Sequence, residues 1–418
     1  QTNNTMKKIL LSLLALCSMT AMAKDYTNGF FILNEDWFGH NSSTVNFYSY
    51  DSESIDYRVY QAANPGLTLG NTTQFAELGH ENIYFCSKQN YGQTGGRFIV
   101  ADAKTLTKKY SIDEYAGDGD SRAFIAVNDD KGYVSTTKGI YVLDIKNMTM
   151  GDKIANSDAV ETGNMIKVAD KVLVTARSKG FYVIDIATNE LVKTVEVPHL
   201  TSVFTIDGAP YAAVNSKGWG APEPTDDEKF VKINPSTFDI DEEIKVPMAS
   251  ANTWFAWKNC APAVDNETKT LYYAPYETAT FISKYDVATS TFTKEFIKFD
   301  KDQKMYGSVV GFDAEKKDIV AMTFNDFGSQ DYWLNIYNLN GEKVKQVKLK
   351  EHYWFPAMLL FAPTKVVTGV DRVEASKTVT GVHYVNLAGV QSEQPFAGIN
   401  IKVTTYSDGS VKTIKLVK

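Results

Sequence analysis

The chain has 418 residues, 44% of them apolar and 12% aromatic, and its 43 Lys and Arg against 50 Asp and Glu leave a net charge of −7. That balance provides no basic field to hold a phosphate backbone, which argues against nucleic acid as a partner. Gly (27) and Pro (12) are not in excess, so the composition is that of a strand-rich globular protein and not of a disordered or fibrous one.

In chain order, the first feature is a targeting segment. Lys7 and Lys8 are basic, Ile9 to Leu16 is apolar, and Ala21-Met22-Ala23 offers the small residues a signal peptidase needs. A lipid attachment at Cys17 would require a small residue before it, and Leu16 stands there, so cleavage after Ala23 is expected. Residues 1–23 are thus read as upstream residues and signal peptide. The protein is expected to be exported, to the periplasm, the cell surface or the medium. No later stretch approaches the ~20 apolar residues of a membrane span.

One motif then recurs along most of the chain: an apolar strand running into an Asp or Asn turn. It reads FIVADAKT at Phe98–Thr105, IYVLDIKN at Ile140–Asn147, FYVIDIAT at Phe181–Thr188, FVKINPST at Phe230–Thr237 and FISKYDVAT at Phe281–Thr289. The anchoring residues are Asp51, Asp102, Asp144, Asp185, Asn234, Asp286 and Asn338, spaced about one propeller blade apart. Such an Asx residue bonds its own backbone in a turn, so these positions are scaffold and not a row of catalytic acids.

The first unit, with strands at Gly29–Asn34 and Val45–Tyr50 and a third expected at Tyr57–Gln61, lacks an inner strand. The last complete unit is followed by a surplus strand, Trp354–Phe361. Pairing surplus with deficit closes a ring and removes two exposed sheet edges. The sequence therefore predicts an all-β fold: a seven-bladed β-propeller over residues 26–363, closed by its C-terminal inner strand. A linker at 364–381 and a small β-rich, sorting-like module at 382–418 follow.

In such a ring, the loops leading into each inner strand and those joining second to third strands share one face, where ligands usually bind. The candidates on that face are Trp37, His40, Lys88, Gln89, Tyr91, Arg122, Arg177, Trp219, Trp254, Tyr306, Trp333 and Trp354. Aromatic faces beside amide and charged groups suit a flat or amphipathic ligand, although each ring is also explained by packing of blade on blade. His40, His199 and His352 fall on the same face, but no HxH or HxxxH spacing joins them, so neither a metal nor a cofactor is expected. No GxSxG elbow, phosphate loop or HExxH is present, and no catalytic residue is assigned. Cys86 and Cys260 lie in or beside apolar strands, where buried free thiols are expected and a disulfide between them is the alternative.

The runs NGFFILNEDWFGHNSSTVNF, NPGLTLGNTTQF, SKQ, GGRFIVADAKTL and HYWFPAMLLF resemble exported YncE-like seven-bladed propellers of Bacteroidetes. The tail from Tyr384 to Lys418 is similar to short C-terminal modules of exported proteins from the same bacteria. The best understood relatives, the BtuG-type surface propellers, capture corrinoids and hand them to an outer-membrane transporter. The resemblance implies a non-enzymatic envelope or surface protein that captures a small cofactor-like nutrient, of corrinoid or tetrapyrrole class, with a transporter as partner. The residues leave two alternatives. One is a propeller enzyme of lactonase or polysaccharide-lyase type using His40, His199, Arg122 or Arg177; the other is a protein-interaction scaffold.

Overall fold

The computed structural model describes residues 24–418 except 80, 90–94, 116–118, 159–161, 177–178, 215–227, 248–260, 277, 362–378, 387, 407–410 and 418. Two compact units divide it, Gln1–Thr364 and Lys365–Lys418.

The first unit is built of seven four-stranded antiparallel sheets. Their innermost strands are Pro356–Phe361 (blade 1), Asn71–Gly79 (blade 2), Ser121–Ala126 (blade 3), Thr162–Val168 (blade 4), Leu200–Ile206 (blade 5), Ala263–Asp265 (blade 6) and Lys304–Asp313 (blade 7). Each packs beside the next, and the last returns to the first, so the circuit is closed. It is a seven-bladed β-propeller. Apolar residues from adjacent blades share the same clusters. Tyr84, Phe98 and Phe124, for example, bury together between blades 2 and 3.

Closure is made by the strand the sequence left over. Pro356–Phe361 runs antiparallel to Gly29–Asn34, with Phe30 opposite Phe361 and Ile32 opposite Leu359. Two more backbone bonds extend the pairing past the strand end: Glu35 N–H donates to the Phe355 carbonyl at 2.9 Å and Asp36 N–H to the Trp354 carbonyl at 3.0 Å. Trp354 is fully buried. Its indole N–H donates to the Lys350 carbonyl at 2.7 Å, and the Arg58 guanidinium lies 4.5 Å from its ring centre. Blades 1 and 7 are joined further by Tyr50 to Asp313, Lys345 to Glu53 and Arg58 to Glu351.

The recurring Asx residues form turns. Asp102 Oδ1 accepts the N–H groups of Lys104 and Thr105, Asp185 Oδ1 that of Thr188, Asp286 Oδ1 that of Thr289, and Asn338 Oδ1 those of Asn340 and Glu342. The expected strand at Tyr57–Gln61 is a correction. The outer strand of blade 1 is Ser54–Asp56, and a short helix, Val59–Ala63, follows it. Val59 and Tyr60 are consecutive and both buried, which a strand of period two would split between its faces. Tyr60 packs edge-on against Phe85 of blade 2.

One repeated feature has no counterpart in the motif. The inner strands of blades 2, 3, 4, 5 and 7 slip register near their loop-face ends, between Thr73 and Phe75, Ser121 and Ala123, Thr162 and Met165, Leu200 and Ser202, and Met305 and Val310. The closing strand of blade 1 slips at Ala357. A β-bulge re-aims side chains and bends its strand, and bulges gather beside binding sites.

The second unit is a single four-stranded sheet whose long strands are Val379–Asn386, Ile399–Tyr406 and Val411–Val417. Asn400 is fully buried within it and bonds the carbonyls of Phe396 and Gly398.

If Trp354 pins the closure, Trp354→Ala will lower stability by about 3–5 kcal/mol, as other large core truncations do. Chemical denaturation should show a single transition displaced to lower denaturant, because every blade depends on both neighbours.

Candidate functional site

The loop face over blades 7 and 1 carries exposed aromatic side chains. Trp37 is 39% exposed, Phe38 60% and Phe327 50%. Trp37 stacks with two rings, His40 at 3.8 Å and Tyr353 at 4.4 Å centroid to centroid, with the Tyr353 plane only 9° from its own. His352 meets Tyr353 edge-on at 6.4 Å. Beneath, Tyr306 touches Phe324, Phe327 and Phe355. Burial pushes its hydroxyl well above the ordinary phenol range, so it stays a neutral hydrogen-bonding group.

Local backbone geometry sets this rack. Glu351, Tyr353 and Phe355 all have positive φ (64°, 66° and 44°), as does Asp36 (58°). Left-handed backbone is uncommon for residues with a Cβ and persists where the surroundings over-determine it. Here the closing bonds to Glu35 and Asp36 and the burial of Trp354 hold one side. Trp37, next in sequence to Asp36, is thereby brought over Tyr353.

Asp36 is itself buried. Thr44 Oγ1 donates to its Oδ2 at 2.6 Å, but loss of hydration dominates and raises its carboxyl to about 8. Arg58 and the Thr44 bond pull in the opposite direction, and Glu351 adds to the rise. At neutral pH Asp36 is therefore mainly a protonated acid.

A second, polar group sits toward the axis at blades 2 and 3. Arg122 occupies the bulge of the inner strand Ser121–Ala126, and its side chain is 6% exposed. Asp120 stands 3.7 Å from Arg122 and 3.6 Å from Arg97. Arg97 also donates to the Gly119 carbonyl at 2.8 Å and meets the well-exposed Glu114 at 3.3 Å.

The expected site residues divide accordingly. Trp37 and His40 come together in one stack, and Tyr306 lies below the same patch. Trp333 is half-buried with the Lys348 ammonium 5.6 Å from its ring centre. Lys88 is buried, and Gln89 accepts a bond from Thr72. Trp354 is corrected from a ligand-facing ring to a closure pin, because it is fully buried and its N–H is already bonded. Tyr91, Arg177, Trp219 and Trp254 lie outside the described residues. Asp36 and Tyr353 belong to the loops that topology places on this face, at 35–40 and 352–354, although the sequence does not single them out from their neighbours. Arg97 carries no signal in the sequence, because its place depends on long-range pairing that spacing does not reveal. Among the described residues, no three His, Cys, Asp or Glu side chains gather to hold a metal ion. Cys86 is a buried free thiol whose ionisation burial opposes, and Cys260 lies outside the described residues.

The fold and face define a β-propeller with an aromatic patch above its closing blade. The chain belongs to the family described as domain of unknown function DUF5074, whose match spans residues 28–362. No curated protein matches it. Among solved structures it is similar to dihydro-heme d1 dehydrogenase NirN in complex with DHE, at 14% identity and TM-score 0.49, over 83% of this chain and 77% of that one. It is also similar to the extracellular domain of the one-component system BT4673 from B. thetaiotaomicron, at 12% identity and TM-score 0.47, over 83% and 39%. A third is the computationally designed Ika8 protein, at 10% identity and TM-score 0.45, over 94% and 98%. These are likenesses of shape at low identity, and the architecture rests on the strand pairing itself. No helix among the described residues is long and apolar enough to cross a membrane.

Asp36 yields a pH-dependent prediction. Its folded-state pKa lies above the unfolded value, so below about pH 4 both states are protonated and no penalty exists. As pH rises toward 8, only the unfolded chain ionises, and the folded state loses relative stability. Asp36→Asn removes that loss, and its amide oxygen still accepts from Thr44. The variant should match the parent near pH 4 and exceed it by roughly 2–4 kcal/mol at pH 7, measured as urea midpoints across pH.

Proposed function

We propose that this protein is a non-enzymatic binding protein of the cell envelope or surface, which takes a small ligand with a flat, conjugated framework onto the loop face. The carrying observation is the exposed stack of Trp37 on His40 and Tyr353, flanked by the exposed Phe38 and Phe327. Exposed large rings are costly on a surface with no partner, and together they mark an interaction site. Rigid aromatics give contact area at small entropic cost. A corrinoid or tetrapyrrole fits that chemistry, having an extended apolar plane and a polar rim. The targeting segment at 1–23 supports an exported location, and capture for uptake implies hand-over to an outer-membrane transporter.

The direct experiment is titration of the purified protein with cobinamide, haem and a non-planar control, followed by tryptophan fluorescence and calorimetry. Binding of a planar macrocycle is expected, and Trp37→Ala should weaken it by about 1–3 kcal/mol if Trp37 is an anchor. Neither heat nor quenching with any planar macrocycle would sink this reading.

A further inference from the structure

We propose that His352 is an axial ligand to a metal ion carried at the centre of the bound macrocycle. This rests on the reading above and narrows its ligand from a flat conjugated ring to a metallated one with an exchangeable axial position. Nε2 of His352 forms a dative bond in place of an axial water, and no oxidation or reduction is needed.

The imidazole stands in the aromatic patch with its side chain 54% exposed. Its Nδ1 lies 3.2 Å from the Gln330 carbonyl and 3.7 Å from Asp331 Oδ1. A carbonyl oxygen only accepts, so Nδ1 carries the proton and, in the neutral ring, the lone pair is on Nε2. Among the described residues Nε2 makes no hydrogen bond. Histidines that ligate metals are set up in this way. The far nitrogen donates to a backbone carbonyl or a carboxylate, which fixes the tautomer and makes the near nitrogen more basic.

The accepting group is firmly held. Gln330 is 2% exposed. Its Oε1 accepts the Tyr332 hydroxyl, its Nε2 donates to the Phe327 carbonyl at 2.9 Å, and its N–H donates to the Asp326 carbonyl at 3.2 Å. Asp331 is tied in turn by Lys348 at 3.0 Å. The imidazole is thus anchored on the rim of blade 7, beside the ring of Tyr353.

The ring planes fit the same role. Trp37 and Tyr353 lie within 9° of parallel, and His352 stands at 70° to Tyr353 with centroids 6.4 Å apart. An axial imidazole must stand steeply to the macrocycle, because its lone pair lies in the plane of its own ring. A macrocycle laid parallel to Trp37 and Tyr353 meets His352 at such an angle. A free ion is not held by one imidazole, and among the described residues no three His, Cys, Asp or Glu gather to bind one. A macrocycle brings the remaining donors itself, and imidazole suits iron and other first-row transition ions.

Haem and metal-free protoporphyrin IX test this, because they share one ring framework and differ by the iron. The full chain is expected to bind both, with Trp37→Ala weakening both together. Bound ferric haem should show the Soret band of imidazole-ligated iron. His352→Gln should abolish that band and lower haem affinity about tenfold more than protoporphyrin affinity, and added imidazole should restore the band. A thermal melt establishes that the variant is folded, and His352→Asn takes its place if it is not. An imidazole-ligated band that survives in the folded variant, or that the parent never shows, overturns ligation by His352 while leaving the flat-ligand reading standing. Failure of both macrocycles to bind the parent overturns both proposals.

Discussion

Everything else in the propeller depends on one antiparallel pairing, that of Pro356–Phe361 with Gly29–Asn34. A blade cannot cover both of its faces alone, so a ring lacking this pairing would leave two apolar sheet faces and two open edges in water. The chain reinforces the joint with long-range contacts of several kinds. Arg58 lies over Trp354, Lys350 N–H donates to the Tyr57 hydroxyl, and Lys345 meets Glu53. The surface ion pairs among these contribute little singly. Burial of Trp354, Phe30 and Leu359 supplies the larger share.

The same joint builds the candidate site. Its last two backbone bonds fall on Glu35 and Asp36, immediately before Trp37, and on Trp354 and Phe355, immediately after Tyr353. The rings that stack on the loop face are thus one residue beyond the hydrogen bonds that close the ring. Binding residues placed in this way are held by the most constrained part of the scaffold and not by a free loop, which limits the entropy lost when a ligand orders them.

The fold was legible because its signals are local and repeated. An apolar strand followed by an Asx turn, as at Phe181–Thr188, carries its explanation within eight residues, and the Asp185 to Thr188 bond matches it. The missing inner strand and the surplus one were readable by counting. The helix at Val59–Ala63 was not, because its two adjacent buried residues acquire meaning only from Phe85 of the next blade. The site was legible in part. Trp37 and His40 stand out as unusual loop residues, whereas Asp36, Arg97 and the bulge at Arg122 draw their character from burial and from partners in other strands. Trp354 shows the opposite error: a loop-face position by topology, but a core residue by packing.

Asp36 shows why a scaffold optimised for stability alone would look different. A buried acid kept protonated lowers folded stability at neutral pH, and the left-handed residues at 36, 351, 353 and 355 add backbone strain in the same few ångströms. An asparagine at 36 would retain the bond from Thr44 without the ionisation penalty. A buried acid that costs stability at neutral pH, set beside exposed rings, is expected where geometry serves something other than folding. Asp36 stands next to Trp37, which stacks on Tyr353, so the buried acid and the exposed rings meet at the candidate site.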